Sequence, residues 1–200
     1  MQWANQQRGF CHLRDGILDL RLDPFQNTPK GYDVLQNIDE ASLIRLLRAY
    51  GQAKQNAKHI ATAILEARFM NYEFKTVYEL SEVLETAVKH ATNHSESKAD
   101  PKMLQNFLDQ TITALRMFVN DEINQLDYAL RHLAVKYLKK DGIVAVIAHN
   151  EAEGKVVKKC LKEFPLDNVS TNKTPSSEVL YTHFSLMIEI AIIIFFNLGN

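Results

Sequence analysis

One run limits what this 200-residue chain can fold into: Ile143-Val144-Ala145-Val146-Ile147-Ala148, six continuous apolar residues that follow a stretch of mainly helical periodicity. Such a run, mostly β-branched, reads as a strand buried on both faces. A helix carrying Ile123, Leu126, Leu130, Leu133, Ala134 and Tyr137 precedes it, and a helix from about Glu151 to Phe164 follows. Helix, buried strand, helix is the crossover unit of a parallel α/β sheet. A single strand makes no sheet. Its neighbours come either from the apolar C-terminal stretch or from strands that the chain as read does not contain.

The preceding helices carry clear signals. Asp39 is placed to cap a helix bearing Leu43, Ile44, Leu46, Leu47 and Tyr50, with Gly51 as its stop. Ala57, Ile60, Ala61, Ile64 and Leu65 form a second stripe. Thr76 and Glu79 make a capping box before Leu80, Val83, Leu84, Ala87 and Val88. Residues 90–100 read as a loop, and Pro101 opens a helix through Leu104, Phe107, Leu108 and Ile112 to about Val119. Between Gly16 and Asp23 the period changes to two. Leu18, Leu20 and Leu22 alternate with Asp19, Arg21 and Asp23, which predicts an extended segment with one buried face and one face of acid, base and acid. Asp23-Pro24 and residues 27–31 then mark a turn or loop.

Several function classes are excluded or weakened by composition. A net charge of −1 rules out a uniformly basic nucleic-acid binder, though not a local basic patch. The closest two of the seven glycines, Gly9 and Gly16, are seven positions apart, so no glycine-rich phosphate loop is present. Cys11 and Cys160 sit in no ligand or redox spacing, and His90 and His94 have no third partner, so no metal is expected. The apolar run Leu186 to Phe196, eleven residues broken by Glu189, is too short for a spanning helix, which needs roughly 20. Its segment from Ile188 to Phe196 has high β-propensity, and reads as a sheet strand or as an artefact of gene modelling. No leader is read at Met1 to Arg8, so the glycosylation patterns at Asn93, Asn168 and Asn172 carry little weight.

Four ordered blocks resemble the signatures of the MraW-type methyltransferases. Arg8-Gly9-Phe10-Cys11 and Asp15-Gly16-Ile17-Leu18-Asp19-Leu20-Arg21-Leu22-Asp23 are similar to the family pattern Arg-Gly-Phe-Ser-x-x-x-Asp-Gly-Pro-Leu-Asp-Met-Arg-Met-Asp, without a gap. Tyr50-Gly51 with Ala57 to Ile64, Ala114 to Glu122, and Gly142 to Lys159 resemble three later blocks. The resemblance covers residues 1–160 and stops after Phe164. It implies an α/β fold, a partial Rossmann-like methyltransferase core with an inserted, mainly helical domain. The implied division is 1–28 core fragment, 29–100 helical insertion, 101–164 C-terminal core and 165–200 divergent tail. It also implies that the family's glycine loop lies upstream of Met1, so that the chain is an N-terminally truncated enzyme.

The implied activity is transfer of a methyl group from S-adenosylmethionine to the N4 amine of a cytidine in small-subunit rRNA. A mitochondrial matrix location is expected, with the cytoplasm as the alternative, and the partner is the rRNA or the ribosomal subunit, without membrane. The amine lone pair is delocalised into the ring, so it needs an acceptor that holds it and takes positive character. Asp19, Asp23 or the carbonyl of Asn150 would serve; Asn150 stands where the family has histidine. Gln2 falls at a cofactor-contacting position. Arg14, Arg21, Arg116, Lys155 and Lys158, with Lys159, are the expected RNA partners.

Each has a plainer reading. Asp19, Arg21 and Asp23 make sense as ion pairs at a domain junction, Lys158 and Lys159 as a solvated helix face, Gln2 as a loose terminus, and His149 as incidental. The opposing functional hypothesis is a non-catalytic remnant, a helical RNA- or protein-binding module, suggested by the rewritten Asn150 region and the unrelated tail.

Overall fold

A computed structural model of the chain describes residues 8–10, 15–92, 99–137, 143–163 and 192–197. The described chain forms two compact units, Met1–Asp121 and Glu122–Asn200.

The first unit is built from helices α1 (Gly31–Asn37), α2 (Glu40–Ala49), α3 (Ala57–Phe69), α4 (Val77–Thr92) and α5 (Pro101–Val119). The capping chemistry is where the sequence puts it. Asp39 accepts from the Ser42 N–H at 2.9 Å. Thr76 Oγ1 accepts from Glu79 N–H at 3.2 Å while Glu79 Oε2 accepts from Thr76 N–H at 2.8 Å. Pro101 opens α5 as expected, and Asp100, the last residue of the expected loop, adds a cap by accepting from Lys102 N–H. The stripes then meet: α3 packs on α2 and α4, and α5 on α1, α2 and α4. Leu43, Leu47, Ile60, Ile64, Leu80, Leu84, Phe107 and Leu115 are all fully buried among them. Gly51 lets α5 approach, since a Cβ there would stand 2.3 Å from the Gln110 carbonyl oxygen.

Two features differ from expectation. The loop expected at 27–31 ends in α1, whose start is fixed by Asp33 Oδ2 accepting from Lys30 N–H at 3.0 Å. Helix α5, assigned from the sequence to the C-terminal core, packs with the helical insertion instead, because its stripe of Phe107, Leu108, Ile112 and Leu115 closes that bundle.

The second unit holds α6 (Glu122–Tyr128), a π-helical turn (Ala129–Ala134), α7 (Val135–Tyr137), strand β1 (Ile143–Ala148), α8 (Glu151–Glu163) and strand β2 (Ile192–Asn197). Helix α8 packs on α6 and β1, burying Leu130, Val157 and Cys160. The strand and the following helix stand as predicted, but the sheet does not. β1 pairs antiparallel with β2, from Ile143 opposite Asn197 to Ala148 opposite Ile192. The parallel crossover is therefore replaced, among the described residues, by a two-stranded ribbon. Nor is β1 buried on both faces, since Ile147 is 57 % exposed. The apolar tail thus supplies a neighbour over residues 192–197; residues 164–191 lie outside the described ones.

Candidate functional site

The alternating segment is not a strand. It makes one isolated bridge, Ile17 with Thr76, and is otherwise held by ties to four distant places. Leu18 N–H donates to the Lys75 carbonyl and Val77 N–H to the Gly16 carbonyl, at 2.8 and 3.0 Å. The first amides of α1 point back at it, Gly31 N–H to Asp19 O at 2.8 Å and Tyr32 N–H to Leu18 O at 3.0 Å. The Arg8 guanidinium donates to the carbonyls of Arg21 and Leu22. Asn120, the C-cap of α5, accepts from Leu22 N–H at 2.7 Å and donates Nδ2–H to the Leu20 carbonyl at 2.8 Å. The period-two reading survives in burial: Leu18 and Leu20 are fully buried, and Asp19 and Arg21 lie on the other side.

On that side Arg21 and Asp19 form a bidentate pair, Nε to Oδ1 at 2.6 Å and Nη2 to Oδ2 at 2.9 Å. The guanidinium holds the Asp19 carboxyl below its ordinary value, against a smaller opposing push from burial. Nη1 of Arg21 donates to the Gln26 carbonyl at 2.9 Å. All three guanidinium nitrogens are thus engaged, and Arg21 braces the loop. Asp23 is exposed, and one of its oxygens accepts from the Phe25 N–H at 2.9 Å. Of the acidic pair, Asp19 is the anchored member and Asp23 the accessible one.

The remaining expected residues are placed as follows. Arg116 is 6 % exposed within α5, so burial removes it from the surface where RNA would meet it. Asn150 is also buried and caps α8: its Oδ1 accepts from Glu153 N–H at 2.9 Å, and its Nδ2 donates to Glu153 Oε1 at 2.8 Å. Glu153 Oε2 in turn accepts from His149 N–H at 2.6 Å. The carbonyl proposed as an amine acceptor is occupied by its own helix. Lys155, Lys158 and Lys159 are exposed on α8, with Lys155 paired to Glu151 at 2.9 Å. Gln2 and Arg14 lie outside the described residues. Burial pushes the Cys160 thiol up, which makes it a poor nucleophile. A cavity of about 390 Å³ beside α1 has among its lining residues Gln36, bonded to the Tyr72 carbonyl, and Arg68, bonded to that of Ile38.

Two working residues were not singled out from sequence. Asn120 sits inside the quoted block Ala114 to Glu122, where an asparagine just past an apolar helix is a legible capping signal. Glu153, three residues after Asn150, completes a capping pattern.

Comparison with known proteins settles the relationship. The family model for the MraW methylases matches residues 1–183. The chain belongs to the MraW methylase family. This MraW-family chain is 36 % identical over 166 residues to the mouse (Mus musculus) 12S rRNA N(4)-cytidine methyltransferase METTL15, covering 80 % of the chain and 39 % of that protein. To the ribosomal RNA small subunit methyltransferase H of Halothermothrix orenii it is 29 % identical, over 84 % of the chain and 50 % of that protein. A Culex quinquefasciatus protein that carries the name of a receptor-type tyrosine-protein phosphatase, mosPTP-1, is 37 % identical over 80 % of the chain, a stretch that makes up 10 % of it. The chain therefore spans half or less of the length of these relatives. Among the described residues of the MraW-family chain, no cluster of His, Cys, Asp and Glu could hold a metal ion, and no helix is long and apolar enough to cross a membrane.

Proposed function

We propose that this chain is part of an S-adenosylmethionine-dependent methyltransferase acting on the N4 amine of a cytidine in small-subunit rRNA. The observation that carries the reading is family membership over residues 1–183, together with relatives named for that reaction. Its fold would be part of a Rossmann-like methyltransferase core with the α1–α4 helices inserted. A 12S rRNA substrate, as the mouse relative is named for, favours the mitochondrial matrix over the cytoplasm.

The described residues do not fit the cofactor by themselves. Their glycines are too far apart for a nucleoside loop, and in the cavity beside α1 Gln36 and Arg68 are already bonded to backbone carbonyls. No step is therefore derived through the cofactor, and the chemistry assigned to this chain is on the nucleoside side. Asp23 accepts a hydrogen bond from the exocyclic amine, fixing the nitrogen and favouring the positive character that grows on it as it is alkylated. Asp19 is a positioning residue, because the Asp19–Arg21 pair anchors the loop that carries Asp23. Orientation of this kind accounts for about 7–11 kcal/mol in well-aligned reactions. The exposed lysines Lys155 and Lys158 would meet the RNA backbone.

The test is methyl transfer to small-subunit rRNA by the full-length protein. Asp23→Asn should lower kcat about a hundredfold with little change in thermal stability. Full activity in that variant would remove Asp23 from the site. Inactivity of the wild-type protein on every rRNA offered would support the non-catalytic module instead.

A further inference from the structure

We propose that Phe25 is an aromatic platform on which an unpaired RNA base, a neighbour of the target nucleotide, stacks. The proposal rests on the RNA reading above and deepens it. Phe25 is 94 % exposed, in a loop that is fixed by polar ties rather than by its ring. Its own N–H donates to Asp23 Oδ1 at 2.9 Å, the Gln26 N–H donates to the Asp23 carbonyl at 3.3 Å, and Arg21 Nη1 donates to the Gln26 carbonyl at 2.9 Å. The ring does not hold the loop; the loop holds the ring in water. A phenyl group kept out of every core by three directed hydrogen bonds is poised for a partner with an apolar face.

The surroundings favour a nucleobase as that partner. Asp23 both fixes the Phe25 backbone and carries the proposed acceptor oxygen, so platform and acceptor belong to one turn. At the far end of the same loop the Lys30 ammonium donates to Tyr32 Oη at 2.8 Å and lies 5.3 Å from the Tyr32 ring centroid. Aromatic faces and cations side by side are the composition of single-stranded RNA sites, where bases stack on rings with little regard to sequence. A target cytidine must also leave its stack to be methylated. A ring that takes up the neighbouring base stabilises the opened strand. The exposed Phe69 and Met70 at the end of α3 have no such tie to the acidic pair.

Binding of a short single-stranded RNA containing unmodified cytidine to the full-length protein tests this. Phe25→Ala should weaken binding about tenfold, and Phe25→Tyr should preserve it. The slope of affinity against salt should not change, because no phosphate contact is lost. In Phe25→Trp, the emission added over the parent protein should be quenched as RNA binds. Binding by Phe25→Ala within about twofold of wild type, an unquenched indole, or a loss with a shallower salt slope overturns the platform and leaves the methyl-transfer reading standing. A wild-type protein that neither binds this RNA nor transfers a methyl group overturns both.

Discussion

Leu20 adopts φ +62°, a left-handed backbone that an L-residue with a branched side chain rarely takes. The conformation costs about 1–2 kcal/mol. Against that stands complete burial of the side chain, worth about 1.5–3 kcal/mol, together with its carbonyl bonded to Asn120. Burial wins, and the backbone turns so that Asp19 and Arg21 meet outside. Gly31 is required at the same place, because a Cβ would sit 2.8 Å from Leu20 Cδ1 and 2.9 Å from the Leu18 carbonyl oxygen. The Asp19 carboxyl is lowered by its Arg21 partner, so the unfolded chain takes up that proton first as pH falls. Its contribution to stability is complete above the ordinary carboxylate range and drains away as the pH drops through the lower folded value. Asp19→Asn should therefore be less stable than wild type to urea at neutral pH. The difference should shrink as the folded carboxyl protonates; a difference that stays constant into acid would mean that the charge is not what holds the loop.

At the scale of elements, the helices were legible because both their ends and their stripes are local. Asp39, Thr76, Glu79 and Pro101 act within four residues, and the bundle followed from them. The strand's position was legible too, and the apolar C-terminal stretch was one of two sources expected for its neighbour. The direction of pairing and the covered faces were not legible. An apolar run states that a segment avoids water, and leaves open which side is covered and in which direction a neighbour runs, so the antiparallel sense of the pairing and the exposed Ile147 had no local signal. The site divides in the same way. The acid-base-acid pattern placed Asp19 and Arg21 on one side. That Asn150 would be a cap, Arg116 a core residue and Arg21 a brace depends on contacts a linear pattern does not encode. The junction of α5 with the signature segment is the element on which most depends. Asn120→Ala should cost about 2 kcal/mol, by leaving the Leu22 N–H and the Leu20 carbonyl without partners, whereas α5 itself should stay helical. Chemical denaturation checks the first and far-ultraviolet circular dichroism the second. A loss below about 0.5 kcal/mol would show that water replaces the amide.

For the whole molecule, the two compact units differ in what holds them. The first has a continuous core drawn from every one of its helices, whereas the described core of the second is Leu130, Val157 and Cys160 with partly buried neighbours. Local stability follows buried apolar contact. Hydrogen exchange on this chain should show the amides of α2 to α5 opening together and last, and those of α6 and α8 exchanging sooner. Equal protection throughout would mean that the chain folds as one cooperative body. The long ties of the first unit have a further consequence, in time rather than in space. Leu22 and Asn120 are 98 residues apart, and Leu20 and Asn120 are 100 apart. Contacts so distant are slow to close, because bringing the ends of a long loop together costs entropy. During synthesis the acidic loop leaves the ribosome before α5 does, and its tie to Asn120 cannot form until α5 has also emerged. The acidic loop is thus made before the residue that clasps it, and a nascent chain that stops short of Asn120 lacks that clasp.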